Sequence, residues 1–182
     1  MIYGETVITS KNDYKYYLER DKASLKVSGL KSYLFNEIWH FQRGLRRYEY
    51  HLNTKSFLRY FFRYLHERNS RKLGFSIPPN TFGPGLSIAH RGTIVINGKV
   101  RIGENCRIHV CVNIGAAATD SNSVPKIGDN CYIGPGAKLY GNISLGNNVS
   151  IGANSVVNKS FDNDCIIAGV PARVISDIKL KR

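Results

Sequence analysis

Residues 96–114 read Ile96-Asn-Gly-Lys-Val-Arg-Ile102-Gly-Glu-Asn-Cys-Arg-Ile108-His-Val-Cys-Val-Asn-Ile114, with an aliphatic residue at every sixth position. The period resumes after a loop at Ile127, Ile133, Leu139, Leu145, Ile151 and Val157. A second small or aliphatic residue follows each start by four places, at Val100, Cys106, Val112, Ala118, Cys131, Ala137, Ile143, Val149 and Ser155. A six-residue period is too short for a helical repeat and suits one short strand with one sharp turn. The pattern therefore predicts a mainly β solenoid, in which each repeat buries its apolar face against its neighbours.

The repeat resembles that of the hexapeptide-repeat acyltransferases, and the resemblance covers residues 76–175. It implies a left-handed parallel β-helix, but it does not define the substrate because one fold hosts many chemistries. We expect an α-helical N-terminal segment over residues 1–74 and a β-helix acyltransferase domain over residues 75–182. The second part includes a C-terminal tail over Ile175–Lys181.

Two helices are predicted in the N-terminal segment, over residues 33–48 and 55–68, because apolar side chains recur there at helical spacing. A turn is expected near His51–Thr54, and Gly74 lies beyond the end of the second helix. Residues 1–30 are polar without a strong period and stay unassigned.

Positive charge is concentrated in the same segment. The chain has a formal net charge of +13; residues 1–74 hold 15 Lys and Arg against 7 Asp and Glu, which leaves +8 there and +5 in the rest. The basic residues that punctuate the predicted helices include Arg43, Arg46, Arg47, Arg59, Arg63, Arg68, Arg71 and Lys72, interleaved with Tyr48, Tyr50, Tyr60 and Phe62. Three interpretations are open: a helical cap with oligomer contacts, which we favour, peripheral contact with an anionic membrane, and nucleic-acid binding, for which no recognition motif is present.

Other features indicate a cytoplasmic protein. Peripheral contact with the inner face of the membrane is the alternative location. No apolar stretch approaches the roughly 18 residues of a spanning helix, and no signal peptide is visible at the N-terminus. Cys106 and Cys131 occupy inward repeat positions, and no cysteine pair has metal-ligand spacing. We therefore expect reduced, buried thiols and no metal.

The segment Gly85–Asn97 resembles the serine acetyltransferase branch of the family, which includes the O-acetyltransferases of capsule and exopolysaccharide clusters. The resemblance implies that His90 is the catalytic base, and a neutral imidazole with a pKa near 6.5 suits that task. Counting back from Ile96 in steps of six puts His90 on an inward position, although nearby Gly and Pro residues interrupt the register. The alternative is a hydrogen-bonded His that closes the first coil. His109, one coil further on, is expected to be an exposed surface residue.

Three departures from the branch concern the acceptor. The resemblance places a second His directly before Pro125, where this chain has Val124, in a loop that leaves the solenoid between Ile114 and Ile127. It also places acidic residues where this chain has Ala89 and Ser76. These groups would bind the ammonium of an amino acid and orient the base. Their replacement favours a sugar hydroxyl over free serine.

The C-terminal end carries the cofactor signature. Ile151–Lys159 and Ala168–Ile175 match the ending of acetyl-CoA-dependent members of the family. The resemblance implies that CoA lies near Pro135, Ala153, Asn158, Lys159 and Arg173. Lys159 and Arg173 can pair with phosphates; the alternative is ordinary surface charge on a basic protein.

The sequence thus predicts an acetyl-CoA-dependent O-acetyltransferase that acts on a saccharide hydroxyl, of a glycan or of a smaller molecule. The alternatives are serine O-acetylation in cysteine biosynthesis, N-acetylation of an amino sugar, and a non-catalytic scaffold, against which the His90 segment and the CoA signature argue. The family resemblance also implies a homotrimer with active sites between subunits.

Overall fold

The computed structural model describes residues 7–177, so part of the predicted C-terminal tail lies outside the described residues. The helices are α1 (Lys11–Ser24), α2 (Gly29–Phe35), α3 (Glu37–Asn53) and α4 (Arg59–Leu73). The strands are β1 (Phe75–Ser76), β2 (Ser87–Ile88), β3 (Ile94–Ile96), β4 (Arg101–Ile102), β5 (Arg107–Ile108), β6 (Val112–Gly115), β7 (Lys126–Ile127), β8 (Tyr132–Ile133), β9 (Lys138–Tyr140), β10 (Ser144–Leu145), β11 (Ser150–Ile151), β12 (Val156–Val157), β13 (Ile166–Gly169) and β14 (Ala172–Ser176).

The strands form three sheets that the chain visits in turn. Their orders are β1-β3-β6-β9-β12, β10-β7-β4 and β14-β13-β11-β8-β5-β2. Neighbouring strands are parallel, except that β14 folds back antiparallel on β13 and ends the solenoid. This arrangement is a three-faced parallel β-helix, so the predicted solenoid is confirmed.

Each sheet contributes one column of aliphatic side chains to the core. Paired residues in the columns are Ile96, Ile114, Leu139 and Val157; Ile102, Ile127 and Leu145; and Ile88, Ile108, Ile133, Ile151 and Ile167. All of them are buried, as are Cys106 and Cys131. Two sequence expectations fail at turns: Cys111 is exposed at a corner, where its φ is 61°, and Ala118 is exposed in the loop that leaves the solenoid.

The described part of the helical segment, residues 7–74, has four helices rather than two. The predicted helix over residues 33–48 is divided at Asn36, whose side chain accepts a hydrogen bond from the Trp39 N–H and begins α3. Helix α1 lies in the region that the sequence left unassigned. Its residues are polar on most sides, so it has no apolar period to predict it. Its start does carry a local signal, a capping box of Ser10 and Asp13. Among residues 7–177, no helix is long and apolar enough to cross a membrane.

A buried cluster of charged side chains attaches the helices to the first coil. Arg46 is fully buried and donates to Asp21 (2.9 Å), to Glu49 (3.0 Å) and to two backbone carbonyls of the first coil, those of Phe82 (2.9 Å) and Gly83 (2.7 Å). The sequence identified Arg46 only as one of the basic residues of the helices, and the structure places it in the core. Burial by itself would lower the pKa of Arg46, but the two carboxylates raise it above its ordinary value, so the guanidinium stays charged.

The same cluster satisfies the open edge of the solenoid. Asp21 accepts hydrogen bonds from the backbone N–H groups of Gly85 (2.8 Å) and Leu86 (2.9 Å). Gln42 donates to the Leu86 carbonyl (2.8 Å) and accepts from the Ile88 N–H (3.3 Å). The first coil has no preceding coil to form hydrogen bonds with its backbone, so side chains of the helices form them instead. Because these contacts join the two parts so closely, the division at residue 74 stays a prediction.

Replacement of Arg46 by Met should destabilise the protein by about 3–5 kcal/mol, because it leaves two buried carboxylates and two carbonyls without their partner. Urea unfolding measures the effect. The matched control is Arg63→Met, which removes an exposed ion pair to Glu67 and should cost about 0–1 kcal/mol. Equal effects of the two substitutions would contradict this account of the cluster.

Candidate active site

His90 lies on an exposed corner because two extra residues enter the first coil there. Ile88 and Ile96 both occupy core columns, and the step between them is eight residues, where other coils take six from Ile108 to Ile114 or from Ile151 to Val157. The insertion includes Gly92, whose φ of 134° is available mainly to glycine. The sequence count that put His90 on an inward position is therefore wrong, and its side chain is exposed.

A column of rings follows His90 along the outside of the solenoid. The ring centroids of His90 and His109 are 6.1 Å apart, and those of His109 and Tyr132 are 5.0 Å apart. His109 is half-buried, and its Nε2 is buried without a hydrogen-bond partner among residues 7–177. The expectation that His109 is an exposed surface residue is therefore wrong, because its ring is half-buried between neighbouring rings. Burial lowers the pKa of His109, as do the charges of Arg107 and His90.

His90 has no carboxylate partner within the described part of the chain, where it makes neither a hydrogen bond nor an ion pair. Ala89 and Ser76 offer none, as their sequence indicated, and Val124 is buried. An acidic group does reach this corner, because Arg91, which follows His90, contacts Glu37 at 3.0 Å.

A cavity of about 190 Å³ adjoins the His90 corner. Its lining residues are Glu37, His40, Phe41, Asn69, Lys72 and Leu73. The Gly92 N–H donates to the Leu73 carbonyl (3.0 Å), which ties the corner to the cavity wall. Lys72 approaches Glu37 at 3.4 Å. The cavity therefore presents both signs of charge next to the corner that carries His90.

Part of the predicted CoA site continues from the His90 corner. The backbone N–H of Gly136 donates to the Val110 carbonyl (2.9 Å), and that of Asn154 donates to the Pro135 carbonyl (2.8 Å). Pro135 and Ala153 thus lie on the corners stacked above His90, which we call the corner ridge. Successive coils of such a stack are about 4.8 Å apart.

The other three predicted CoA residues lie around the far end of the solenoid. Arg173 opposes Ala168 across β13 and β14, and the neighbouring Gly169 N–H donates to Ser155 Oγ (3.3 Å), so Arg173 lies near the end of the corner ridge. Asn158 and Lys159 follow β12 at the next corner, where Lys159 Nζ lies 5.4 Å from the centre of the Phe161 ring. Both cationic side chains are exposed. The role of these residues in CoA binding stays a prediction.

Metal ligands are not gathered at this site. No group of three or more His, Cys, Asp or Glu side chains that could hold a metal ion occurs among residues 7–177. The expectation that the chemistry needs no metal stays a prediction.

Comparison with known proteins places the repeat in a family. Residues 125–159 match the family described as bacterial transferase hexapeptide (six repeats). The repeat of this chain is thus similar to that of the bacterial hexapeptide transferases. The chain is similar to the serine acetyltransferase of Synechococcus elongatus, with 38% identity over 104 residues, which are 56% of this chain and 43% of that protein. It is also similar to the serine acetyltransferase of Buchnera aphidicola, with 35% identity over 122 residues, 65% of this chain and 44% of that one. The chain thus spans less than half the length of these relatives.

Solved structures agree with these relatives. Serine acetyltransferase of Brucella abortus in complex with coenzyme A superposes with a TM-score of 0.77 at 28% identity, over 92% of this chain and 70% of that one. A serine acetyltransferase in complex with cysteine gives a TM-score of 0.74 at 25% identity, over 91% and 67%. The fold is accordingly the left-handed parallel β-helix that the repeat implied.

The comparisons also correct the predicted acceptor. The sequence interpretation favoured a saccharide hydroxyl, but these relatives and structural neighbours are serine acetyltransferases. The preference for a glycan is therefore wrong, and serine O-acetylation, which stood as its alternative, is the better supported activity.

Lys159→Ala and Arg173→Ala should each weaken the binding of CoA by about 10-fold, since each removes a charged partner of a phosphate. Titration calorimetry with CoA measures this without turnover. Lys126→Ala is the matched control, because Lys126 is exposed on β7 in a different sheet. If Lys126→Ala weakened CoA binding as much, the effect would come from the overall charge of the protein and not from Lys159 or Arg173.

Proposed function

We propose that this protein transfers an acetyl group from acetyl-CoA to the hydroxyl of L-serine. The observation that carries the proposal is the exposed imidazole of His90 at one end of the corner ridge, on a fold shared with serine acetyltransferases. His90 takes the proton of the hydroxyl as its oxygen attacks the thioester carbonyl. The carbon–sulfur bond then breaks, and the CoA thiolate takes the proton from His90. The transfer is direct, without an acyl-enzyme, and a backbone N–H at a corner stabilises the oxyanion.

The cavity beside the corner supplies charges that suit an amino acid. Serine carries an ammonium and a carboxylate, and the cavity offers Glu37 for the former and Lys72 for the latter. Arg91, which already contacts Glu37, lies at its edge. These residues compensate for the acidic groups that Ala89 and Ser76 replace. In this proposal Glu37 exchanges an exposed ion pair for the ammonium of the substrate.

A homotrimer completes the site in this proposal. Support comes from the family resemblance and from the corner ridge, which is open to solvent along one chain. A second copy packed against the ridge would form the other wall of a CoA groove. Light scattering that shows a monomer would contradict this assembly.

A cytoplasmic location stays a prediction, and so does weak contact with an anionic membrane at its inner face. What supports the membrane contact is the aromatic surface at the start of α4, where Phe57, Tyr60, Phe61 and Tyr64 are exposed. Basic residues such as Arg59 and Arg68 accompany these rings. Cations near an anionic leaflet contribute about 1 kcal/mol each. Nothing in the described fold favours nucleic acid as a partner.

His90→Asn should lower kcat for serine acetylation by about 10²- to 10⁴-fold, the usual contribution of a general base. Thiol release from acetyl-CoA with L-serine as acceptor measures the rate. Calorimetry with CoA should give the wild-type affinity, because the side chain does not hold the cofactor in this scheme. The control is His51→Asn, on α3 and outside the lining of the cavity. Retention of most turnover in His90→Asn would exclude His90 as the base, and a wild-type protein inactive towards serine would exclude the acceptor.

Glu37→Gln should raise KM for L-serine by about 10-fold while changing kcat little, because it removes the charge that binds the ammonium. Initial rates over a range of serine concentrations separate the two constants. Glu67→Gln is the matched control, since Glu67 also forms an exposed ion pair with an Arg, far from the corner. An unchanged KM in Glu37→Gln would remove the cavity from the acceptor site.

A further inference from the structure

His109 is held in place beside His90 by the stacking of the coils. Strand β5, which His109 follows, pairs in parallel with β2, which precedes His90. The two ring planes meet at 59° with their centroids 6.1 Å apart. The His109 ring also packs against Tyr132 on the next coil, at 5.0 Å. Strand pairing therefore orients His109, whereas the exposed His90 side chain is free to turn towards it.

One ring nitrogen of His109 lacks a partner. Its Nε2 is buried and accepts or donates no hydrogen bond among the described residues. Buried polar atoms in folded proteins are nearly always paired, so an exception requires an explanation. The surroundings keep this ring neutral, because burial, Arg107 and His90 all lower its pKa. A neutral imidazole has one nitrogen that can only accept a hydrogen bond.

We propose that His109 is a positioning residue for His90, and that its Nε2 accepts a hydrogen bond from the N–H of the His90 ring during the reaction. This inference rests on the proposed function, because it gives His109 the orienting task that the acidic positions at Ala89 and Ser76 cannot perform. The hydrogen bond fixes the His90 tautomer, so the opposite nitrogen is free to take the acceptor proton. The His90 imidazolium that results continues to donate this hydrogen bond to His109 until its other proton passes to the CoA thiolate. Catalytic hydrogen bonds are often long in free enzymes and shorten only when substrate is bound.

The charged and titratable groups around the pair are few. Arg107 lies on the same strand as His109, and its guanidinium donates to Ser87 Oγ (3.0 Å) on β2. Tyr132 lies on β8. Arg91 follows His90 and contacts Glu37. No carboxylate contacts either imidazole among residues 7–177, so no carboxylate competes with His109 for the N–H of His90.

Kinetics on two variants test the proposal in the full protein. His109→Phe keeps the packing against Tyr132 but removes the acceptor, and kcat should fall by roughly 10- to 100-fold with KM for acetyl-CoA unchanged. The acid limb of the kcat profile should move to lower pH, because the His90 imidazolium loses its partner. His109→Gln, which restores a carbonyl acceptor, should recover part of the rate. His51→Phe, on α3 and outside the lining of the cavity, is the matched control. A wild-type pH profile in His109→Phe, or no rescue by Gln, would overturn the proposal.

Nitrogen NMR of the imidazole rings gives a readout that needs no turnover. In the free wild-type protein, Nε2 of His109 should be unprotonated, which is the form that accepts a hydrogen bond. A protonated Nε2 would refute the pairing. If wild-type protein fails to acetylate serine, the proposed function fails, whereas these spectra still decide whether His109 accepts a hydrogen bond from His90.

Discussion

The guanidinium of Arg46 is the contact on which the arrangement of the whole chain depends. It is buried between Asp21 of α1 and Glu49 of α3, and it also holds two carbonyls of the first coil. A solenoid has an exposed row of backbone groups at each end, and side chains of the helices satisfy this one. Removing one member leaves the others buried and unpaired, which is far more costly than losing a surface ion pair. The cluster therefore makes the helices part of the β-helix rather than an appendage.

The placement of this cap has a consequence for the candidate site. The first coil, which the cap stabilises, is also the coil that carries His90, and the cavity beside His90 is lined by helical residues such as Glu37 and Lys72. Both the proposed base and the proposed acceptor pocket thus depend on the docking of the helices. The predicted CoA residues lie further along the corner ridge and around the far end of the solenoid, away from the helices. Acceptor and cofactor are consequently assigned to structurally different parts of the chain.

The pair of His90 and His109 illustrates how stacking creates a site. The two residues are 19 positions apart in the sequence, and no sequence motif contains both of them. Their proximity follows from the length of one coil plus the displacement caused by the insertion after Ile88. Exposure of a corner residue was a sound expectation for His109 as an isolated position. It failed because the rings of His90 and Tyr132 lie next to the His109 ring on the neighbouring coils, and its Nε2 is buried.

The sequence by itself determined the solenoid, because a six-residue apolar period can be buried only by stacking short strands, and this constraint is local and repeated. It also identified His90 and the C-terminal signature as candidates, through motifs that are contiguous in the chain. It could not assign α1, whose few buried residues include Asp21, or recognise Arg46 as a core residue, since a buried charge is stable only where distant partners meet it. Only the tertiary structure decided that His90 faces solvent, that His109 lies beside it and that Glu37 reaches the same corner. Those outcomes depend on a two-residue insertion and on the docking of helices against the first coil, and neither has a periodic signature in the sequence.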